Sequence, residues 1–235
     1  MQQPTLHPQT IGFLQQLAAN NNRPWFNDHK DQWLEIKAEF DTFVQYLIDQ
    51  MQQVDPTLTG LTAKNSVYRI YRDTRFSADK TPYKTHIACF LSSWGPKNSG
   101  VPGYYVQIGC DNAYGLEGMC DLGGGIFMPS PQALAAIRQE IFYCPDEFLA
   151  IINDKTYRHY FGDTFFTSKK LQRVPQGYPA DWPHADLLKY KDYCSNHTLD
   201  ESLVGSPEMA DAVLDVWRAS LPLNKFLQRA MEEVK

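Results

Sequence analysis

Between Asn27 and Val54 the apolar residues Trp33, Ile36, Phe40, Phe43, Leu47 and Met51 recur every three or four positions, and beyond Pro56 that spacing stops. A step of three or four lines side chains along one stripe of an α-helix, whereas a half-buried strand needs a step of two. After Pro56 come short runs rich in β-branched and aromatic residues: Val67 to Tyr71, Ile87 to Ser92 and Tyr104 to Ile108. These are read as three strands. The stretches between them are too short to hold crossover helices, so neighbouring strands are expected to be antiparallel. One or two further strands are expected between Tyr114 and Met128, where Gly123, Gly124 and Gly125 lead into Ile126, Phe127 and Met128.

On either side of the sheet the helical spacing returns. Thr10 is placed to cap a short helix carrying Ile11, Leu14, Leu17 and Ala18, with Asn20 to Asn22 as its stop. Ser130 before Pro131 is an N-cap and first-turn pair for a helix with Leu134, Ile137 and Ile141 inward, and Pro145 opens another to about Asn153. Thr164 to Asp181 is basic, aromatic and proline-punctuated and reads as loop with at most one short strand. Pro183 to Tyr193, Ser206 to Ala219 and Pro222 to Val234 read as three more helices. The expected fold class is α+β, a mainly antiparallel sheet of four to five strands flanked by N-terminal and C-terminal helices, in a single domain over residues 1–235.

A chain of this length buries its own core without staples. Its five cysteines, Cys89, Cys110, Cys120, Cys144 and Cys194, are odd in number and form no C-x-x-C pair, which argues for buried thiols over a disulfide framework or zinc ribbon. Cys194, His197 and His184 lie near one another in sequence but lack a second pair at zinc spacing, so no metal is expected. The triple glycine lacks G-x-G-x-x-G spacing, and no G-x-x-x-x-G-K-[ST] loop occurs, so no cofactor is expected and Gly123 to Gly125 are read as a close backbone approach or bulge. The polar start, Met1 to Gln9, has no signal-peptide pattern, and the longest apolar stretch falls far short of a membrane span. A cytoplasmic protein with no membrane partner is expected, and the sequence sets no oligomeric state.

The feature that points to function is a local reversal of charge. Arg69, Arg72, Arg75, Lys80 and Lys84 face only Asp73 and Asp79 between residues 69 and 86, a charge of +3 in a chain whose net charge is −5. Such a segment concentrates positive potential at one place, with Arg offering a planar fork for carboxylate or phosphate and Lys a movable point charge. Ser77, Thr81 and Tyr83 add hydroxyls, and Pro82 restricts the loop. The expected ligand-binding residues are Arg72, Arg75, Lys80, Tyr83 and Lys84, with His29 at the start of the long helix as helper, and the expected partner is a small anion bearing phosphate or carboxylate. The competing reading pairs these cations with Asp73, Asp79 and backbone carbonyls to stiffen a hairpin connection. It makes the chain a non-enzymatic protein-interaction domain whose loop is structural.

His86 could pair with Asp73 or Asp79 for proton transfer, or be a satisfied strand-edge side chain. Tyr68, Tyr71, Phe76 and Tyr83 could stack bases beside the cations, or build core. Long nucleic acid is not expected, because the acidic remainder repels a long polyanion, leaving a short end or a single nucleotide.

The segment I-Y-R-D-T-R-F-S-A-D-K-T-P-Y-K-T-H, from Ile70 to His86, and N-N-N-R-P-W-F-N-D-H-K, from Asn20 to Lys30, resemble a bacterial and fungal family of uncharacterised proteins, the DUF2461 domain of unknown function. The likeness continues through G-Y-Y-V-Q-I at Gly103 to Ile108, G-G-G-I-F-M-P at Gly123 to Pro129 and L-Q-R-V-P-Q-G-Y at Leu171 to Tyr178, so it spans nearly the whole chain. It implies one α+β family domain and carries over no catalytic residue, cofactor or substrate. The chain departs from the family pattern after Asp181: the family has a histidine before the proline, and here Trp182 precedes Pro183 and His184 follows.

Overall fold

The structure is a computed structural model that describes residues 3–95, 100–109, 120–163, 165 and 170–232. The helices among them are α1 Thr10–Ala19, α2 Arg23–Asp28, α3 Lys30–Met51, α4 Ala63–Ser66, α5 Pro131–Tyr143, α6 Pro145–Ile152, α7 Lys155–Phe161 and α8 Met209–Ala230. Four strands, β1 His86–Leu91, β2 Gly103–Gly109, β3 Cys120–Ile126 and β4 Tyr193–Thr198, form one antiparallel sheet in the order β1-β2-β3-β4. The fold is α+β, as expected. No helix among the described residues is long and apolar enough to cross a membrane. The chain divides into two compact units.

The first unit takes Met1–Lys97, Tyr105–Leu122 and Thr198–Asp215. Asn22 caps α2, its side-chain oxygen accepting the Trp25 N–H at 3.0 Å, and Pro24 occupies the first turn, where no N–H is needed. The one helix expected from Asn27 is therefore two, because α2 starts earlier and the chain leaves helical geometry at His29 (φ −111°, ψ 16°) before α3 begins. All six stripe residues of α3 are buried, joined by Val44 and Ile48. At roughly 1.5–3 kcal/mol for each fully buried aliphatic or aromatic side chain, this face is what holds α3 in place.

Val67 to Tyr71 is a correction. Instead of a full strand it forms one side of an antiparallel arm through isolated bridges, Val67 to Cys89 and Tyr71 to Tyr83. Further bonds run from Tyr68 N to Ala88 O (2.9 Å), Lys84 N to Ile70 O (2.8 Å) and Arg72 N to Pro82 O (2.9 Å). Pro82 accepts but has no N–H to give, so the ladder stops there and residues 73–81 become the tip.

The second unit takes Asn98–Tyr104, Gly123–His197 and Val216–Lys235. Ser130 caps α5 as expected, accepting the Ala133 N–H at 3.1 Å. Asp154 caps α7, an element the sequence reading passed over, by accepting from Thr156 (2.8 Å) and Tyr157 (3.1 Å). The expected helix Pro183 to Tyr193 is only a 3-10 segment, Ala185–Lys189, and β4 follows it. The two expected C-terminal helices are one, α8, with Pro222 inside. Proline removes one helical hydrogen bond, and the carbonyl of Trp217 nearby is taken by the Ser220 hydroxyl at 2.9 Å. Of the strands expected between Tyr114 and Met128 only β3 falls within the described residues; 110–119 lie outside them, as do 164 and 166–169 of the expected loop.

Glycine 123 to 125 sit in β3, a strand buried at all seven positions. A Cβ on Gly124 would stand 2.6 Å from Ser220 Cβ, and one on Gly125 would stand 3.0 Å from Cys194 Cα. Asn224 of α8 fills the remaining polar space, donating to Gly103 O at 3.1 Å and accepting from Gly125 N–H at 3.0 Å. The triple glycine is a close-approach device.

Candidate functional site

The two sequence segments richest in unusual residues meet in the first unit. Asn21, just before α2, makes both backbone hydrogen bonds that a strand partner would make to Tyr83: its amide donates to Tyr83 O at 2.9 Å and its oxygen accepts Tyr83 N–H at 3.0 Å. Phe26 stacks on the Tyr83 ring at 4.1 Å and meets Tyr71 edge-on at 6.2 Å. The arm is thus fastened to α2 by a two-pronged amide and an aromatic stack. Between them lies a cleft of about 320 Å³ lined by Arg23, Asn27, Tyr71, Arg72, Thr74, Pro82 and Tyr83.

Two of the six residues singled out from sequence, Arg72 and Tyr83, line that cleft. Arg72 is held by the Asp79 carboxylate and the Thr81 hydroxyl, with Thr81 O at 3.4 Å, which fixes its guanidinium against the tip. Tyr83 is 4% exposed. Burial pushes its phenol above the ordinary value and Tyr71 adds to this, while the Arg23 guanidinium pulls the other way, so Arg23 sits within electrostatic reach of the Tyr83 oxygen.

The other four lie away from the lining. Arg75 forks onto Asp73, with Nε to Oδ1 at 3.0 Å and Nη2 to Oδ2 at 2.7 Å, and lies over the Phe76 ring at 5.8 Å. Lys80 donates to Thr74 O at 2.8 Å. Lys84 lies 4.9 Å above the Tyr68 ring centroid. His29 donates from Nδ1 to Trp25 O at 2.8 Å and stacks on Trp25 at 4.0 Å. The contacts of Arg75 and Lys80 give the tip its shape. Asp73 is drawn down to about 2, first by the Arg75 side chain and then by its backbone N–H; Asp79 is drawn down to about 2, first by the Thr81 N–H and then by Arg72. Both carboxylates weighed as partners of His86 are thereby engaged by arginines. Cys89 is fully buried, and burial pushes its thiol up, away from reactivity.

Arg23 and Asn27 were missed by the sequence reading. A signal existed: they stand four residues apart, which places them on one face of a helical turn, but only once the helix is started at Arg23. Arg23 forms no ion pair among the described residues, so its guanidinium differs from those of Arg72 and Arg75. Among the described residues no three His, Cys, Asp or Glu side chains gather as metal ligands. The described lining also holds no carboxylate, imidazole or thiol, and what it offers is two guanidiniums, two phenols, an amide and a hydroxyl.

Comparison with known proteins gives one family. The family model described as Conserved hypothetical protein (DUF2461) matches residues 9–226, a range that contains every residue of the cleft. No curated protein and no solved structure matches the chain.

Proposed function

Since the chain belongs to the DUF2461 family, whose description assigns no reaction, we propose from the cleft alone that the protein binds a small phosphate- or carboxylate-bearing ligand between α2 and the arm. The observation that carries this reading is the pairing of an uncommitted guanidinium, Arg23, with a committed and oriented one, Arg72, on the same walls. Guanidinium forks match the oxygens of such anions, and Asn27, Thr74 and the tyrosine hydroxyls supply neutral hydrogen bonds around them. Arg75, Lys80 and Lys84 act at one remove, by shaping the tip and raising the local potential, and His29 supports the Trp25 end of α2. The reading stops at binding, because the described lining holds phenols and a hydroxyl but no carboxylate, imidazole or thiol to activate them. It takes the protein to be cytoplasmic and free of membrane.

The test is calorimetric titration of the whole chain with inorganic phosphate and with a dicarboxylate such as succinate. Binding to one of them, lost in Arg23→Ala and weakened at least several-fold in Arg23→Lys, is the expected result. Equal binding by the parent and Arg23→Ala would remove the cleft from consideration.

One observation favours the second reading, a protein-interaction surface: Phe76 is 95% exposed at the tip. The titration above separates the two: phosphate or succinate binding that is lost in Arg23→Ala and unchanged in Phe76→Ser belongs to the cleft, and no binding of either anion by the parent leaves the interaction surface as the reading.

A further inference from the structure

The cleft offers more than charge. Its aromatic wall is Tyr71, about half of which (51%) is open to solvent, and Tyr83, whose ring lies 5.5 Å from that of Tyr71 and is braced from behind by Phe26. The same lining holds the Asn27 amide, the Thr74 hydroxyl and the guanidiniums of Arg23 and Arg72. An amide offers a donor and an acceptor together, and a hydroxyl offers both on one atom, which suits vicinal hydroxyls or the edge of a heterocycle. A volume of about 320 Å³ is at the low end for ligand sites, which run from roughly 300 Å³ upward, so it suits one small molecule.

From these features we infer that the ligand is a single nucleoside monophosphate, its phosphate on the guanidiniums of Arg23 and Arg72, its sugar beside Asn27 and Thr74, and its base stacked on Tyr71. This inference rests on the anion reading above and deepens it. Tyr71 is fit for the stacking role because its backbone is pinned by the bridge to Tyr83 and its ring is steadied edge-on by Phe26, so little freedom is lost when a base arrives. The inference also gives the exposure of Tyr71 a reason: an aromatic ring half open beside two cations is where a base adds contact without displacing any existing pair.

The experiment compares AMP, GMP, CMP and UMP with ribose 5-phosphate and inorganic phosphate on the full chain, by calorimetry. At least one mononucleotide is expected to bind roughly ten-fold or more tighter than ribose 5-phosphate, the range that stacking one base on an aromatic side chain gives. Tyr71→Phe should keep that ratio, and Tyr71→Ala should reduce it to near one, with a cooperative urea unfolding transition showing that the variant is folded. Ribose 5-phosphate binding as tightly as every mononucleotide would overturn the stacked base and leave the anion reading standing. No binding of any of these six compounds would overturn the nucleotide and leave the anion reading to its carboxylate arm, the succinate titration.

Discussion

Asp73 and Asp79 are the two residues on which the shape of the tip depends, and both hold their protons far less readily than a free aspartate because an arginine and a backbone N–H bind each carboxylate. A folded-state value of about 2 lies below the ordinary 3.8, so the contribution is fully present above about pH 4 and is lost as the pH falls through 2. Both groups are exposed, so the expected readout is local. The Thr81 N–H donates to Asp79 Oδ1 at 2.9 Å and the Arg75 N–H to Asp73 Oδ1 at 3.2 Å, so these two amides report on the carboxylates. In an NMR titration both amides should shift with midpoints near 2, while global unfolding follows other groups. Midpoints at 3.8 would mean that the arginine forks do not persist in solution.

Elements meet at a few residues whose loss has predictable size. Asn21 joins the start of α2 to the arm by two hydrogen bonds to one backbone unit. At about 0.5–1.5 kcal/mol each, Asn21→Ala should cost roughly 1–3 kcal/mol in urea unfolding and should also weaken phosphate binding, because the cleft walls are the two elements it joins. A loss of stability with unchanged binding would separate the clamp from the site. In the second unit, Gly124→Ala drives a methyl group toward Ser220 Cβ, 2.6 Å away, across a buried strand face. Overpacking of this kind costs about 1–3 kcal/mol, read as a lower urea midpoint than the parent's.

The same elements show what could be read from the sequence alone. The stripe of α3, the Ser130 cap of α5 and the strands β1 and β2 were legible because each is written in local spacing or in one capping pair. β4 was not, because Tyr193 to Thr198 carries little apolar alternation and is placed by the glycine surface of β3 that receives it. The continuity of α8 through Pro222 was hidden for a like reason, since burial of Trp217, Leu223, Phe226 and Leu227 outweighs one missing hydrogen bond. Of the candidate site, the charge of the tip was legible as composition. The pairs of Arg72 with Asp79 and of Arg75 with Asp73 join neighbours in sequence and match the competing reading of the segment, whereas the presence of Arg23 and Asn27 on the same cleft as Arg72 depends on contacts across some fifty residues of chain that no local pattern records.

For the molecule as a whole, the sign of the charge decides the size of the partner. Net charge is −5 while residues 69–86 carry +3, so everything outside that segment carries −8. A ligand with one phosphate feels mainly the nearest guanidiniums, because at about 0.1 M salt charges beyond roughly 10 Å are screened. A long duplex must lie across many such distances and meets the acidic remainder. A labelled duplex of about 20 base pairs is therefore expected to show no anisotropy change in about 50 mM salt at protein concentrations that saturate the phosphate site. The alternative has its own signature: a surface engaging phosphates through the five cations of the segment would bind the duplex with an affinity that falls steeply with salt, a log–log slope of roughly −4 to −5. That slope would make residues 69–86 a track for nucleic-acid backbone, and the cleft beside Arg23 would then be only its entry. A flat response confines the positive charge to one anion, as the ion pairs of Arg72 and Arg75 already suggest by leaving Arg23 as the guanidinium without a carboxylate on the cleft wall.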